Sequence, residues 1–85
     1  MTAKEAAIDL IKTYVLRGET ISQLKSGQQG AWITDYHASI GGFIDGKRYD
    51  TNHIIVFHLM GKEINQVFKL KDIYDTIKSP QTTLL

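Results

Sequence analysis

The stretch His53-Ile-Ile-Val-Phe-His-Leu-Met60, Gly61-Lys62, Glu63-Ile-Asn-Gln-Val-Phe-Lys-Leu70 decides how this chain is read. Two runs rich in β-branched and aromatic residues flank a Gly-first dipeptide, which predicts a hairpin with a tight type II′ turn at Gly61-Lys62. In that register Leu59 faces Ile64. Both faces of the hairpin then carry apolar side chains, which a sheet with one wet face would not show.

Upstream, Asp45-Gly46 is a strong type I′ signal and predicts a second hairpin. If residue 44 faces 47, the pairing carries back until Trp32 meets Leu59. One face then holds the rows Trp32, Leu59, Ile64; Thr34, Phe57, Gln66; Tyr36, Ile55, Phe68; and Ala38, His53, Leu70. Two independent turns that agree on one apolar face predict a three-stranded antiparallel meander. Such strands are long, so Gly41-Gly42 and the Tyr49-to-Asn52 stretch are expected to hold bulges or a break.

Helices are expected at both ends. Thr2-Ala-Lys-Glu5 has the form of a capping box, and Ala7, Ile8, Leu10, Ile11, Tyr14 and Val15 recur at helical spacing until Gly18. A helix over about residues 3 to 17 follows. Thr20 to Leu24 reads equally as a short helix or a strand, and Gly27 to Gly30 reads as a loop. Lys71-Asp72 opens a short helix carrying Ile73, Tyr74 and Ile77, which Ser79-Pro80 closes. The expected architecture is α+β: an N-terminal helix, a three-stranded antiparallel β-meander and a short C-terminal helix. Residues 1 to 80 form a single domain, and 81 to 85 are a frayed tail. The helices should pack on the face bearing Trp32, Tyr36, Ile55, Phe57, Leu59, Ile64 and Phe68.

A winged helix-turn-helix is the alternative. It makes helices of 3 to 17, 20 to 26 and 31 to 40, with the 53 to 70 hairpin as the wing. Ile33, Tyr36 and Ile40 fit helical spacing. The reading helix would carry Asp35 and no Lys or Arg, which suits a DNA-binding surface poorly.

Composition narrows the function classes. Eighty-five residues make one small domain with a core near the minimum. Ten Lys and Arg against nine Asp and Glu give a net charge of +1, without the basic stripe of a strong nucleic-acid binder. There is no cysteine, so neither a disulfide framework nor a thiolate metal site can form. No apolar run reaches membrane-spanning length and no signal-peptide h-region opens the chain, which predicts a cytoplasmic location.

The second face of the expected sheet is the leading candidate site. Ile33, Ile54, Val56, His58, Met60 and Val67 would form an apolar patch rimmed by charge and histidine, the pattern of an interaction surface. The competing reading is that a helix covers that face too. Lys47 and Arg48, beside Gly41-Gly42 and Asp45-Gly46, could contact an anion or a nucleic-acid backbone, although turn chemistry alone accounts for these residues. His53 and His58 point to opposite faces of a regular strand and cannot share a metal. His37, Asp35 and His58 share a face but reach one another only across a diagonal, so no metal site is expected. Ser39, His37 and Asp35 alternate along one strand with no oxyanion hole in view, and no catalysis or cofactor is expected. The functional expectation is a small non-catalytic protein-interaction module. It would be an inhibitor or adaptor that occludes a partner surface and forms homo-oligomers, with winged-helix DNA binding as the alternative.

Overall fold

The computed structural model describes residues 1–27, 30–32 and 35–79, with Trp32 described by its backbone only. The fold is α+β, with an N-terminal helix, an antiparallel sheet and a C-terminal helix. The elements in chain order are α1 (Ala3–Leu16), α2 (Ile21–Gly27), β1 (Gly30–Trp32), β2 (Tyr36–Ile44), β3 (Lys47–Leu59), β4 (Lys62–Lys69) and α3 (Leu70–Lys78). The sheet has four strands in the order β1-β2-β3-β4, one more than the sequence predicts. The added strand is short, with Gly30 facing Ser39 and Ala31 facing Ala38. Strands through 30–32 and 36–44 replace the helix that a winged-helix layout requires over 31 to 40.

Local chemistry explains the helix ends. The Thr2 amide donates to Glu5 Oε1 at 2.7 Å and the Glu5 amide donates to Thr2 Oγ1 at 3.1 Å, closing the capping box. At the other end the Gly18 amide donates to the Val15 carbonyl and the Glu19 amide to the Tyr14 carbonyl, a Schellman closure. A second capping box resolves the ambiguous segment as helix. The Thr20 amide donates to Gln23 Oε1 at 2.8 Å, and the Gln23 amide donates to Thr20 Oγ1 at 3.2 Å. α3 follows β4 without a loop, and Ser79 beyond it is extended, as a residue before proline should be.

All three helices lie on one face of the sheet. Ala6, Ala7, Leu10, Ile11 and Val15 of α1, Leu24 of α2, and Leu70 and Ile73 of α3 pack with Tyr36, Ala38, Ile40, Ile54 and Val56. Leu59, Ile64 and Phe68 flank this core. One polar clasp joins the two layers and a second ties α3 to the α1–α2 connection. Tyr36 donates its hydroxyl proton to Asp9 Oδ2 at 2.8 Å, and Tyr74 donates to the Glu19 carbonyl at 3.1 Å. The shortest dimension of the molecule, 19 Å, has room for two layers and no third.

The register departs from the regular meander in a way that reassigns faces. Ile44 faces Lys47 around a type I′ turn whose Asp45 and Gly46 have φ of 50° and 79°, as expected. Between the Gly42–Tyr49 pair and the Ile40–Ile54 pair, β2 advances two residues while β3 advances five. This irregularity falls where Gly41-Gly42 and Tyr49-to-Asn52 predict one. Its surplus is three residues, an odd number, so every later pair changes face. Ala38 therefore faces Val56, not His53. A further bulge at Phe57 brings His37 opposite His58 and Tyr36 opposite Leu59.

The β3–β4 turn also differs from the expected one. Leu59 faces Lys62, and the turn residues are Met60 and Gly61, both at positive φ. The turn is thus of type I′ around Met60-Gly61 and not of type II′ around Gly61-Lys62. Asn65, at φ 47°, absorbs the surplus residue of β4 where β3 carries Phe57.

Candidate functional site

The six residues expected to form an interaction patch are divided by the observed register. Ile54 and Val56 are 0% exposed and belong to the core under the helices. The expectation that they are surface residues is corrected by the three-residue bulge, which turns the alternation of β3 over. The same inversion places Ile55 and Phe57, expected against the helices, on the opposite face. His58 is exposed on that outer face, Val67 is half-buried there, and Met60 sits in the β3–β4 turn, 62% exposed. Ile33 lies outside the described residues, as do Thr34, the Trp32 side chain and the 81–85 tail.

The outer face is built from two register rows. Ser39, Ile55 and Val67 form one; His37, His58 and Glu63 form the other, one residue each from β2, β3 and β4. Partners in an antiparallel pair project to the same side, so the second row sets two imidazoles and a carboxylate side by side. Phe57, extruded by its bulge, stacks on His37 with ring centroids 5.0 Å apart and planes 30° apart. The His37 and His58 rings stand 6.1 Å apart. Burial holds His37 below the ordinary imidazole range, and the neighbouring His58 pushes it the same way. The Glu63 carboxylate accepts from Asn65 Nδ2 at 2.8 Å.

The distal part of the β2–β3 hairpin closes over this face. Gly41 and Gly42 have φ of 77° and 148°, and the bend they permit brings Gly42 against the ends of Ile55 and Phe57. Beneath it Ile55 is fully buried, although it lies outside the helix-side core. The Ser39 hydroxyl donates to the Gly41 carbonyl at 2.6 Å and pins the bend from inside. That bond occupies the hydroxyl proton that a nucleophilic reading of Ser39 would need to give to a base. Farther out, Phe43 is 63% exposed.

A concavity of about 230 Å³ lies between the hairpin tip and the sheet, lined by His37, Phe57, His58, Glu63 and Asn65 on one side. Phe43, Ile44 and Asp45 line the other.

The remaining candidates sit elsewhere. Lys47 and Arg48 are exposed on the hairpin arm, with Lys47 Nζ 4.9 Å from the centre of the Tyr49 ring. Arg48 also borders a wider hollow of about 530 Å³ at the bend, with Gly41, Gly42 and Tyr49. His53 pairs with Asp50, Nδ1 to Oδ1 at 3.0 Å, and meets the edge of Tyr49. Because of the Phe57 bulge, His53 and His58 both belong to the outer face, contrary to what a regular strand predicts. Among the described residues no three His, Cys, Asp or Glu side chains are already gathered at a metal-binding distance. Likewise no helix there is long and apolar enough to cross a membrane.

Sequence reasoning missed Phe57 and Phe43 as members of the outer face, whereas it already set His37 on the same face as His58. Phe57 is displaced by a bulge that no glycine or proline announces, and only Gly41-Gly42 hinted that the arm would bend. Comparison with known proteins adds no constraint: no family model, curated protein or solved structure matches this chain.

Proposed function

We propose that this protein is a non-catalytic interaction module of the inhibitor or adaptor kind, which self-associates and occludes a partner's surface with the outer face of its sheet. The observation that carries this is an asymmetry of cover. Three helices seal one face, whereas the other offers Phe43, Phe57 and Val67 with only a bent hairpin above them, and Met60 stands exposed in the β3–β4 turn. Exposed aromatic and methionine side chains ringed by charge suit a surface that is desolvated on binding. His37, His58, Glu63, Asn65, Lys47 and Arg48 supply that polar surround. A symmetric pairing of two such faces is the simplest self-association. The absence of cysteine is compatible with a reducing cytoplasm, the compartment this reading assumes.

Solution mass by size-exclusion chromatography with light scattering tests the proposal. The wild-type protein should run as a dimer or larger species. Phe43→Asp and Val67→Asp should shift it to monomer while leaving circular dichroism unchanged. A wild-type monomer at all concentrations overturns self-association, as do folded variants that remain dimeric.

A further inference from the structure

We propose that the row His37, His58 and Glu63 is a binding site for a divalent late transition-metal ion, with zinc as the ion to test. Three observations converge. The register, not sequence proximity, places one ligand-type residue on each of three adjacent strands and aims all three to one side. All three border the same concavity. The two imidazoles already stand as a cross-strand pair with centroids 6.1 Å apart.

The geometry is close to what the ion needs. With Zn–N bonds of about 2.0–2.1 Å in a tetrahedral shell, two ligating rings have centroids roughly 5 Å apart. Closing that difference requires the exposed His58 ring to turn toward His37, which is half-buried and stacked on Phe57. Glu63 completes a two-histidine, one-carboxylate set by exchanging its Asn65 hydrogen bond for the ion. Among the described residues no three such donors stand together in the present side-chain arrangement, so the site forms only on binding. Asp45, at the hairpin tip, borders the same concavity and is placed to approach the ion's remaining position, which water otherwise fills.

The donor types select among ions. Imidazole with carboxylate is a donor set for zinc, copper and nickel in preference to magnesium or calcium. His53 provides an internal control, since it belongs to a separate cluster with Asp50 and Tyr49.

The test follows the imidazole resonances of the wild-type protein by NMR during titration with zinc chloride, with magnesium chloride as the comparison ion. Equimolar zinc should move the ring signals of His37 and His58 together and leave those of His53 in place, and magnesium should move none. His58→Gln should weaken zinc binding by about tenfold or more, and Glu63→Gln by less. Histidine signals that stay fixed under excess zinc overturn the site. So does movement confined to His53, or a folded His58→Gln protein that binds as tightly as wild type. The ring signals report binding whether the protein is monomeric or dimeric, so the outcome is independent of the self-association test.

Discussion

The two faces of the sheet are made by the same strands and reach opposite ends. Toward the helices, Tyr36, Ala38, Ile40, Ile54 and Val56 are buried, and the one polar tip among them, the Tyr36 hydroxyl, is satisfied by Asp9. Among the described residues of the outer face Ile55 alone is fully buried, and around it stand stacked rings, histidines, a carboxylate and a half-covered valine. The first face is a hydrophobic core whose side chains are interchangeable in kind. The second is a surface on which nearly every side chain carries a chemical option. The lesson is that equal hydrophobicity along β3 does not mean equal burial. Ile54 and Ile55, or Val56 and Phe57, differ in fate by position relative to one bulge.

The comparison is broken most sharply by moving the same charge from one face to the other. Val56→Asp puts a carboxylate into the helix-side core with no partner, and should cost about 4 kcal/mol or more, enough to unfold most of this small domain. Val67→Asp, on the outer face, should cost no more than about 1 kcal/mol. Urea denaturation at low protein concentration, where self-association does not contribute, checks both. Equal losses at the two positions would mean that the faces are equally buried.

The next effect concerns the bend that creates the outer concavity. A β-carbon at Gly42 would lie 3.1 Å from Phe57 Cζ and 3.3 Å from Ile55 Cδ1, on a backbone at φ 148° that other residues rarely adopt. Gly42→Ala should therefore destabilise by about 1–3 kcal/mol and loosen the hairpin arm from Phe57. Gly46→Ala, at the open hairpin tip where a β-carbon meets nothing within 4 Å, should cost about 1 kcal/mol from its left-handed backbone alone. Thermal melts rank the two, and hydrogen exchange at Ile55 reports whether the arm still covers it. A Gly42→Ala protein as stable as Gly46→Ala, with Ile55 still protected, would show that the close approach carries no weight.

How far the sequence reaches is visible at particular residues. The Thr2–Glu5 capping box, the Asp45-Gly46 turn and the position of the bend at Gly41-Gly42 all follow from local chemistry, and each is found in the structure. What local chemistry does not encode is the length of the bulge opposite Gly41, and its parity decides which face each later residue takes. A surplus of two would have kept Ile55 and Phe57 under the helices; a surplus of three exchanges them for Ile54 and Val56. The candidate site was less legible than the fold for the same reason. His37, His58 and Glu63 become neighbours only once both the Phe57 bulge and the Met60-Gly61 turn are in place. Thr20 to Gln23 is a different case: the segment reads as either helix or strand, and the structure decides for helix through a Thr-x-x-Gln capping box.

The smallest effect separates the faces by pH. On the outer face His37 has a folded-state proton affinity below its ordinary value near 6.5, first because burial disfavours its charge and then because His58 stands beside it. The unfolded chain thus binds the proton more readily than the folded one. The stability associated with neutral His37 is complete above about pH 6.5 and declines as pH falls through the lower folded-state value. On the helix side the Tyr36 phenol, pushed upward chiefly by burial and then by its bond to Asp9, keeps its proton throughout this range. Urea midpoints taken with a chelator present, at about pH 8 and about pH 5, should therefore fall further for the wild type than for His37→Gln. Tyr36→Phe should lower both midpoints without changing their difference. If His37→Gln leaves the difference intact, acid sensitivity belongs elsewhere in the molecule and the outer face is no more responsive to pH than the core.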